Sequence, residues 1–338
     1  MQLKEVFFKM SFFYNFLSVN FLMKLADKKY IHVFYHFVKD DENDLVNNLY
    51  QAKNKKQFQE DLVFLKNNLS ALNIHDFNKG KKENHGFLIS FDDGLSNFYK
   101  VAVPILIAEN LTAINFLNSD FIGNKALFYR YKVNLLVDEF LNKIFSEEQQ
   151  QQITKLLGIR SFTQKIIINF LKQTTIKNVL IIDEIAKILD FSFDDFLREH
   201  KPYLTKVQIS KLQSIGFSFG AHSKSHPRFS EISLNEQIKE TIESVTTIKK
   251  QFNLKDSFFS FPFSDDGVTK RFFKEIEDKD IVTFGSSGLK DEDLKKHCQR
   301  IQMEYKKRIY SSQTIIKGEL VYYLFKKLLC KNKTIRMF

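Results

Sequence analysis

Tryptophan is absent from the chain, and only four prolines, eleven glycines and two cysteines occur among its 338 residues. So little proline and glycine excludes a low-complexity chain, and a 43% hydrophobic, 27% charged composition is that of a globular protein able to bury a sizeable core. Cys298 and Cys330 form neither a framework nor a CxxC pair, so a disulfide scaffold is excluded and a reduced compartment is the simpler reading. A long apolar run is missing as well. The N-terminal "VFFKMSFFYNFLSVNFLM" is interrupted by Lys9, Asn15 and Asn20, is short for a spanning helix, and is followed by no convincing small-residue cleavage site. An amphipathic helix docked on the domain is therefore expected rather than a signal peptide. A cytoplasmic location is expected, with a peripheral membrane contact left open.

Phenylalanine and positive charge are what the chain has in excess: 37 Phe and a net charge of +11. Basic charge attracts nucleic acid, anionic lipid or acidic glycan. The lysines are scattered among Asp, Glu and Asn without one dense block, and no recognisable module accompanies them, so nucleic acid is not an expected partner.

Strand and helix patterns alternate along the chain. "KKYIHVFYHFV" (28–38) reads as a strand, the polar "KDDENDLVNNLYQAKNKK" as a loop, and "QFQEDLVFLKNNL" as a helix. "GFLISF" (86–91) is apolar throughout, as a strand buried on both faces must be, and the helical "NFYKVAVPILIAEN" and the strand "LTAINFL" complete a βαβ unit. Residues 125–204 look helical and carry one glycine, which marks an insertion or lid. The alternation resumes at "LTKVQISKLQSIGFSFGAHS", with capping boxes at Thr205/Gln208 and Ser233/Glu236. "SFFSFPF", "DIVTFGSS" and "QRIQMEY" are further strands, and the C-terminal "ELVYYLFKKLLCKNK" is an apolar, basic helix. The fold class is α/β, a distorted (β/α)7-type barrel with a helical insertion. Its expected parts are an N-terminal helical segment (1–27), the barrel (28–124 and 205–312), the insertion (125–204) and a C-terminal helix (313–338). In such a barrel the loops after the strands carry the chemistry.

Two features end predicted strands. Asp92 and Asp93 follow "GFLISF", although Asp-Asp-Gly alone reads equally as a solvated turn capping a helix near Leu95. In "GAHSKSHPRFS", His222 and His226 are four apart, and imidazoles at that spacing can reach one metal ion. One carboxylate and two imidazoles with an open coordination position describe a hydrolytic metal site, beside which a second carboxylate can take a proton from water.

"SFDDG" with "HSKSHP" resembles the polysaccharide deacetylases of the NodB-homology type (carbohydrate esterase family 4), and the likeness covers most of the chain. It implies hydrolysis of an acetyl group, usually an N-acetyl, from a sugar of a polysaccharide or glycan precursor. The resemblance makes Asp92 the base, Asp93, His222 and His226 the metal ligands, and a metal-bound water the nucleophile. Zn²⁺ is the default ion, while Ni²⁺, Co²⁺ and Mn²⁺ fit such a set too. An amide at Leu95 or Ser96 would face the oxyanion.

The family's third motif usually begins with arginine. Here "SFPF" puts Ser260 in that place, ahead of Pro262 and Phe263, which are expected at the substrate together with Arg228. The family's Leu-x-His acid is absent. "YHFV" resembles instead the YH segment of circularly permuted members, which implies His36 as the acid; the alternative is a core or rim histidine bonded to backbone. Asp265, Asp266 and Gly267 read as a helix cap, and His32, His75, His85, His200 and His297 are set aside. An O-acetyl esterase using the same site, or a silent glycan-binding barrel lacking the arginine, are the competing readings. An acetylated carbohydrate is the expected partner.

Overall fold

The structure, a computed structural model, describes residues 3–40, 46, 49–75, 85–306 and 308–337. Seven residues of the stretch read as a polar loop (41–45, 47 and 48) lie outside these residues. The strands are β1 (Tyr30–Tyr35), β2 (Val38–Lys39), β3 (Lys53–Asn54), β4 (Ser70–Ala71), β5 (Gly86–Phe91), β6 (Ile114–Leu117), β7 (Ser218–Ala221), β8 (Ser257–Ser260), β9 (Ile281–Phe284), β10 (His297–Cys298) and β11 (Ile301–Gln302). One sheet runs β10-β9-β8-β7-β6-β5-β1-β11, with every pairing parallel. β4 joins the start of β5, and β2 pairs separately with β3.

Parallel strands covered on both faces explain the apolar runs: all six residues of β5, and all four of β6, β7, β8 and β9, are buried. The sheet curves into a half-barrel ringed by helices, the (β/α) architecture expected from the alternation. Its two edges are consecutive in sequence. β10 lies against β9 and β11 against β1, so Gln299 and Arg300 alone carry the chain from one edge to the other.

Both predicted capping boxes form, Thr205 with Gln208 and Ser233 with Glu236. Asp265 does not cap the following helix: Thr269 caps Lys270–Glu275, and Asp265 is buried elsewhere. Between β6 and β7 five helices, Tyr129–Asn142, Glu147–Leu157, Gln164–Gln173, Leu180–Ile188 and Phe193–His200, pack around their own core of Leu136, Phe140, Ile153, Ile167 and Ile182. The N-terminal helices Leu3–Lys9 and Val19–Ala26 lie on the C-terminal helix Ser312–Leu328. Phe8 sits so close to Gly318 that an added Cβ there would stand 2.4 Å from its ring, so a glycine is required at this contact.

Candidate active site

The parallel sheet brings the C-terminal ends of β1, β5 and β7 to one rim, and each end delivers a titratable side chain. Asp92 and Asp93 follow β5. Asp93 and Gly94 both adopt left-handed backbone (φ 72° and 65°), a turn that needs glycine at the second position and points the two carboxylates apart. His222 follows β7, and His226 comes four residues later, its amide bonded to Ser223 Oγ at 3.0 Å.

Asp93, His222 and His226 converge. Asp93 Oδ1 lies 3.4 Å from His222 Nε2 and 3.1 Å from His226 Nε2, and the three candidate ligand atoms are all within 4.8 Å of one another. His222 Nδ1 lies 2.9 Å from the Ser260 carbonyl, to which it donates, leaving Nε2 as a lone pair facing the cluster. Asp93 Oδ2 accepts from Tyr131 Oη of the insertion at 2.5 Å, whereas buried Oδ1 has no hydrogen-bond donor among the described residues. An orphaned carboxylate oxygen beside two inward-facing imidazole nitrogens fits a divalent cation. Burial would raise the Asp93 carboxyl, but the neighbouring His226 and His222 hold it well below the usual carboxylate range. Burial lowers His226, favouring the neutral form a metal requires. Phe128 (ring centroids 4.1 Å apart) and Phe263 (4.8 Å) pack on the His226 ring.

Asp92 points to the barrel interior. Arg300 clamps it, with Nη1 and Nη2 each 2.8 Å from one carboxylate oxygen. The guanidinium, fully buried, also bonds Ser90 Oγ (3.0 Å), Ser260 Oγ (2.5 Å) and the Gly285 carbonyl (3.1 Å), and lies 4.3 Å over the Phe34 ring. Every donor direction of the fork is therefore fixed. Burial pushes the Asp92 carboxyl up, but Arg300 outweighs it and holds the group below its ordinary value. Ser260, standing where the family places arginine, touches both Arg300 and Asp92 (3.4 Å). The crossing from β10 to β11 thus supplies the guanidinium that the third motif lacks.

His36 directly follows β1, next to β5. Its Nδ1 lies 2.6 Å from Glu304 Oε2, and the same buried carboxylate accepts from the amides of His36 (2.9 Å) and Phe37 (3.0 Å). Burial lowers the imidazole, but Glu304 first, then Asp93 and Asp92, raise it to about 9. The reading of His36 as a rim histidine bonded to backbone does not match this carboxylate partner.

The remaining candidates disperse. Phe263 lies at the site between His226 and the Arg228 guanidinium, 4.5 Å over its ring, while Pro262 is buried and Arg228 is exposed and pairs with Glu231. The Ser96 amide is committed to the Pro202 carbonyl at 2.7 Å, which removes it as an oxyanion donor and leaves Leu95. Asp265, read as a cap, is instead buried against Arg336 (2.5 Å) and His297 (3.2 Å), and Asp266 and Gly267 are exposed. His32 is buried inside the barrel, where burial holds it well below its ordinary pKa.

A family model for polysaccharide deacetylase matches residues 79–283, more than half of the chain, a span that holds Asp92, Asp93, His222, His226 and Ser260–Phe263 but not His36, Arg300 or Glu304. The chain belongs to the polysaccharide deacetylase family. No curated protein matches the sequence. Among solved structures, the Streptococcus pyogenes deacetylase PplD, determined with acetate, is similar with a TM-score of 0.52 at 14% identity, over 86% of this chain and 97% of that one. IcaB from Ammonifex degensii is similar at 0.51 and 12% identity, over 86% and 97%. The Bacillus cereus polysaccharide deacetylase BC0361 gives 0.51 at 11%, over 86% and 68%. At such identities the likeness is one of fold, the (β/α)-barrel type of these deacetylases.

Three residues of this family member's site were missed in the sequence: Arg300, Glu304 and Tyr131. A signal for the first two exists. "RIQMEY" places Arg300, Gln302 and Glu304 at a strand's two-residue period, so both charges fall on one face and Ile301, Met303 and Tyr305 on the other. Tyr131 carries no such mark among the aromatic residues of its helix.

Proposed function

We propose that this family member is a metal-dependent deacetylase that hydrolyses an acetyl group, in the first instance an N-acetyl, from a sugar of a polysaccharide or glycan precursor. The observation that carries the reading is the division of the titratable groups. Asp93, His222 and His226 face one point, Asp92 is held ionised by Arg300, and His36 is held protonated by Glu304. A divalent ion held by the first three, Zn²⁺ by default, would supply Lewis acidity at the acetyl carbonyl. Asp92 accepts the proton of the attacking water as its oxygen bonds to the carbonyl carbon. Arg300 fixes the carboxylate in place and lowers its proton affinity, keeping it ionised until the water's proton arrives. The Leu95 amide stands before the following helix, suited to the developing oxyanion. His36 then donates its proton to the amide nitrogen as the C–N bond breaks, giving acetate and the free amino sugar. Phe263, with Arg228 above it, forms the wall against which a sugar ring stacks.

His36 coming from a strand ahead of the Asp-Asp motif supports placing the chain with the circularly permuted branch. The ground for a silent glycan-binding barrel was the missing arginine, and Arg300 occupies that role in space. Metal-loaded protein should release acetate from N-acetylated amino-sugar oligomers. Release from O-acetylated oligomers alone would assign the esterase instead, and release from neither would leave the binding module.

A further inference from the structure

The chain's excess of positive charge is concentrated at its two terminal segments. Residues 1–26 and 306–338 contain twelve Lys and Arg against two Glu, a net +10 of the whole chain's +11. These segments are neighbours: the helices Leu3–Lys9 and Val19–Ala26 pack on Ser312–Leu328, with Phe7 against Tyr322 and Phe325 and Lys317 Nζ on the Asn15 carbonyl at 2.6 Å. The same unit exposes several large apolar side chains. Phe12, Phe13 and Phe16, on the turn after the first helix, are 85%, 70% and 81% exposed, and Leu328, near the basic Lys326, Lys327 and Lys331, is 84% exposed. Packing against this chain does not account for three such phenylalanines in five residues. Among the described residues no helix is long and apolar enough to cross a membrane.

We infer that this terminal unit docks the enzyme on the surface of an anionic phospholipid bilayer. Phenylalanines that enter the acyl boundary beside an excess of basic side chains, of which Arg336 is buried against Asp265 and Glu292, match that surface both in apolarity and in charge. The unit also adjoins the site. A groove of about 350 Å³ joins Phe263, Ser286 and Gln302 at the site rim to Lys4, Tyr322 and Lys326 of the terminal helices. Docking would hold the site mouth beside the bilayer, so that the glycan worked on is one presented there; that last step rests on the deacetylase reading, whereas the docking does not.

Flotation of the full chain with vesicles of phosphatidylcholine alone, or with 30% phosphatidylglycerol, tests the inference. Wild type should partition to the anionic vesicles at least about tenfold better, and 0.5 M NaCl should remove most of that preference. Phe12→Ser/Phe13→Ser/Phe16→Ser should weaken partitioning at least about tenfold, with an unchanged melting temperature and unchanged turnover of a soluble acetylated oligomer. Lys326→Gln/Lys327→Gln should lower the anionic preference without touching the fold. Wild type that fails to float, or a triple-serine variant that floats equally well, overturns the inference. So does lipid-free self-association that the triple-serine variant abolishes, which would make the patch an interface between copies. Vesicle binding in a protein that turns over no acetylated sugar would leave docking standing and reject the catalytic reading.

Discussion

Arg300 grips Asp92 at two points, each guanidinium nitrogen 2.8 Å from its own carboxylate oxygen, although 208 positions separate the two residues in sequence. The grip exists because the chain crosses between the two sheet edges at this residue, under the rim that carries Asp92.

Arg300→Lys keeps the charge and loses the fork, so turnover should fall about 100-fold while metal content stays at the wild-type level. Arg300→Ala leaves a buried carboxylate unpaired and should cost about 3–5 kcal/mol of stability in urea unfolding as well. If Ser260 and Arg300 are alternative origins for one guanidinium, adding Ser260→Arg to Arg300→Ala should recover at least about tenfold of the lost turnover. No recovery, with the fold intact, would deny that equivalence.

The His36–Glu304 pair sets an alkaline limit. His36 is protonated below about 9, so kcat/KM on an N-acetyl substrate should decline as pH rises through that value. Glu304→Gln removes the largest raising partner and leaves burial opposed only by Asp93 and Asp92, moving the limb down from about 9 towards the ordinary 6.5 or so. The pair's contribution to stability has the same sign: complete below the unfolded histidine's pKa of roughly 6.5, and lost as pH climbs through the folded value. A pH–rate profile of the two proteins checks both statements.

Tyr131 ties the insertion to Asp93, the proposed carboxylate ligand. Tyr131→Phe should weaken divalent metal binding about 10–100-fold in a chelator competition, because the carboxylate is no longer oriented by a donor. An unchanged affinity would reduce the insertion to a lid.

Arg336 near the C-terminus bonds Asp265 (2.5 Å) and Glu292 (2.9 Å), in a network shared with His297 and Gln299. His297 and Arg336 together hold the Asp265 carboxyl far below its ordinary value, against the raising effect of burial. Arg336→Ala should therefore destabilise the fold by about 3 kcal/mol. Asp265→Asn in the same chain should return part of that loss, measured by denaturant titration.

The parallel half-barrel was legible because burial on both faces writes itself as apolar runs, and "GFLISF" could hardly be anything else. Asp92, Asp93, His222 and His226 were legible as a group because each sits directly after, or a few residues beyond, such a run. Arg300 and Glu304 were not, since their partners are set by the closure of the sheet, a long-range contact that no local pattern encodes. Asp265 misled for the complementary reason: "DDG" before a helix has the local look of a cap, and only the tail returning with Arg336 makes it a buried ion pair. The placing of the net charge was not legible either, because the two terminal segments that hold most of the excess meet only through the packing of their helices.

The central claim is that Asp92 is the base beside a metal held by Asp93, His222 and His226. Asp92→Asn tests it in one preparation, by metal content and acetate release from N-acetylated amino-sugar oligomers. The account predicts one divalent ion per chain in both proteins and at least about a 1,000-fold loss of acetate release in the variant. Wild-type protein that binds no divalent metal at neutral pH, or a variant that releases acetate as fast as wild type, would contradict it.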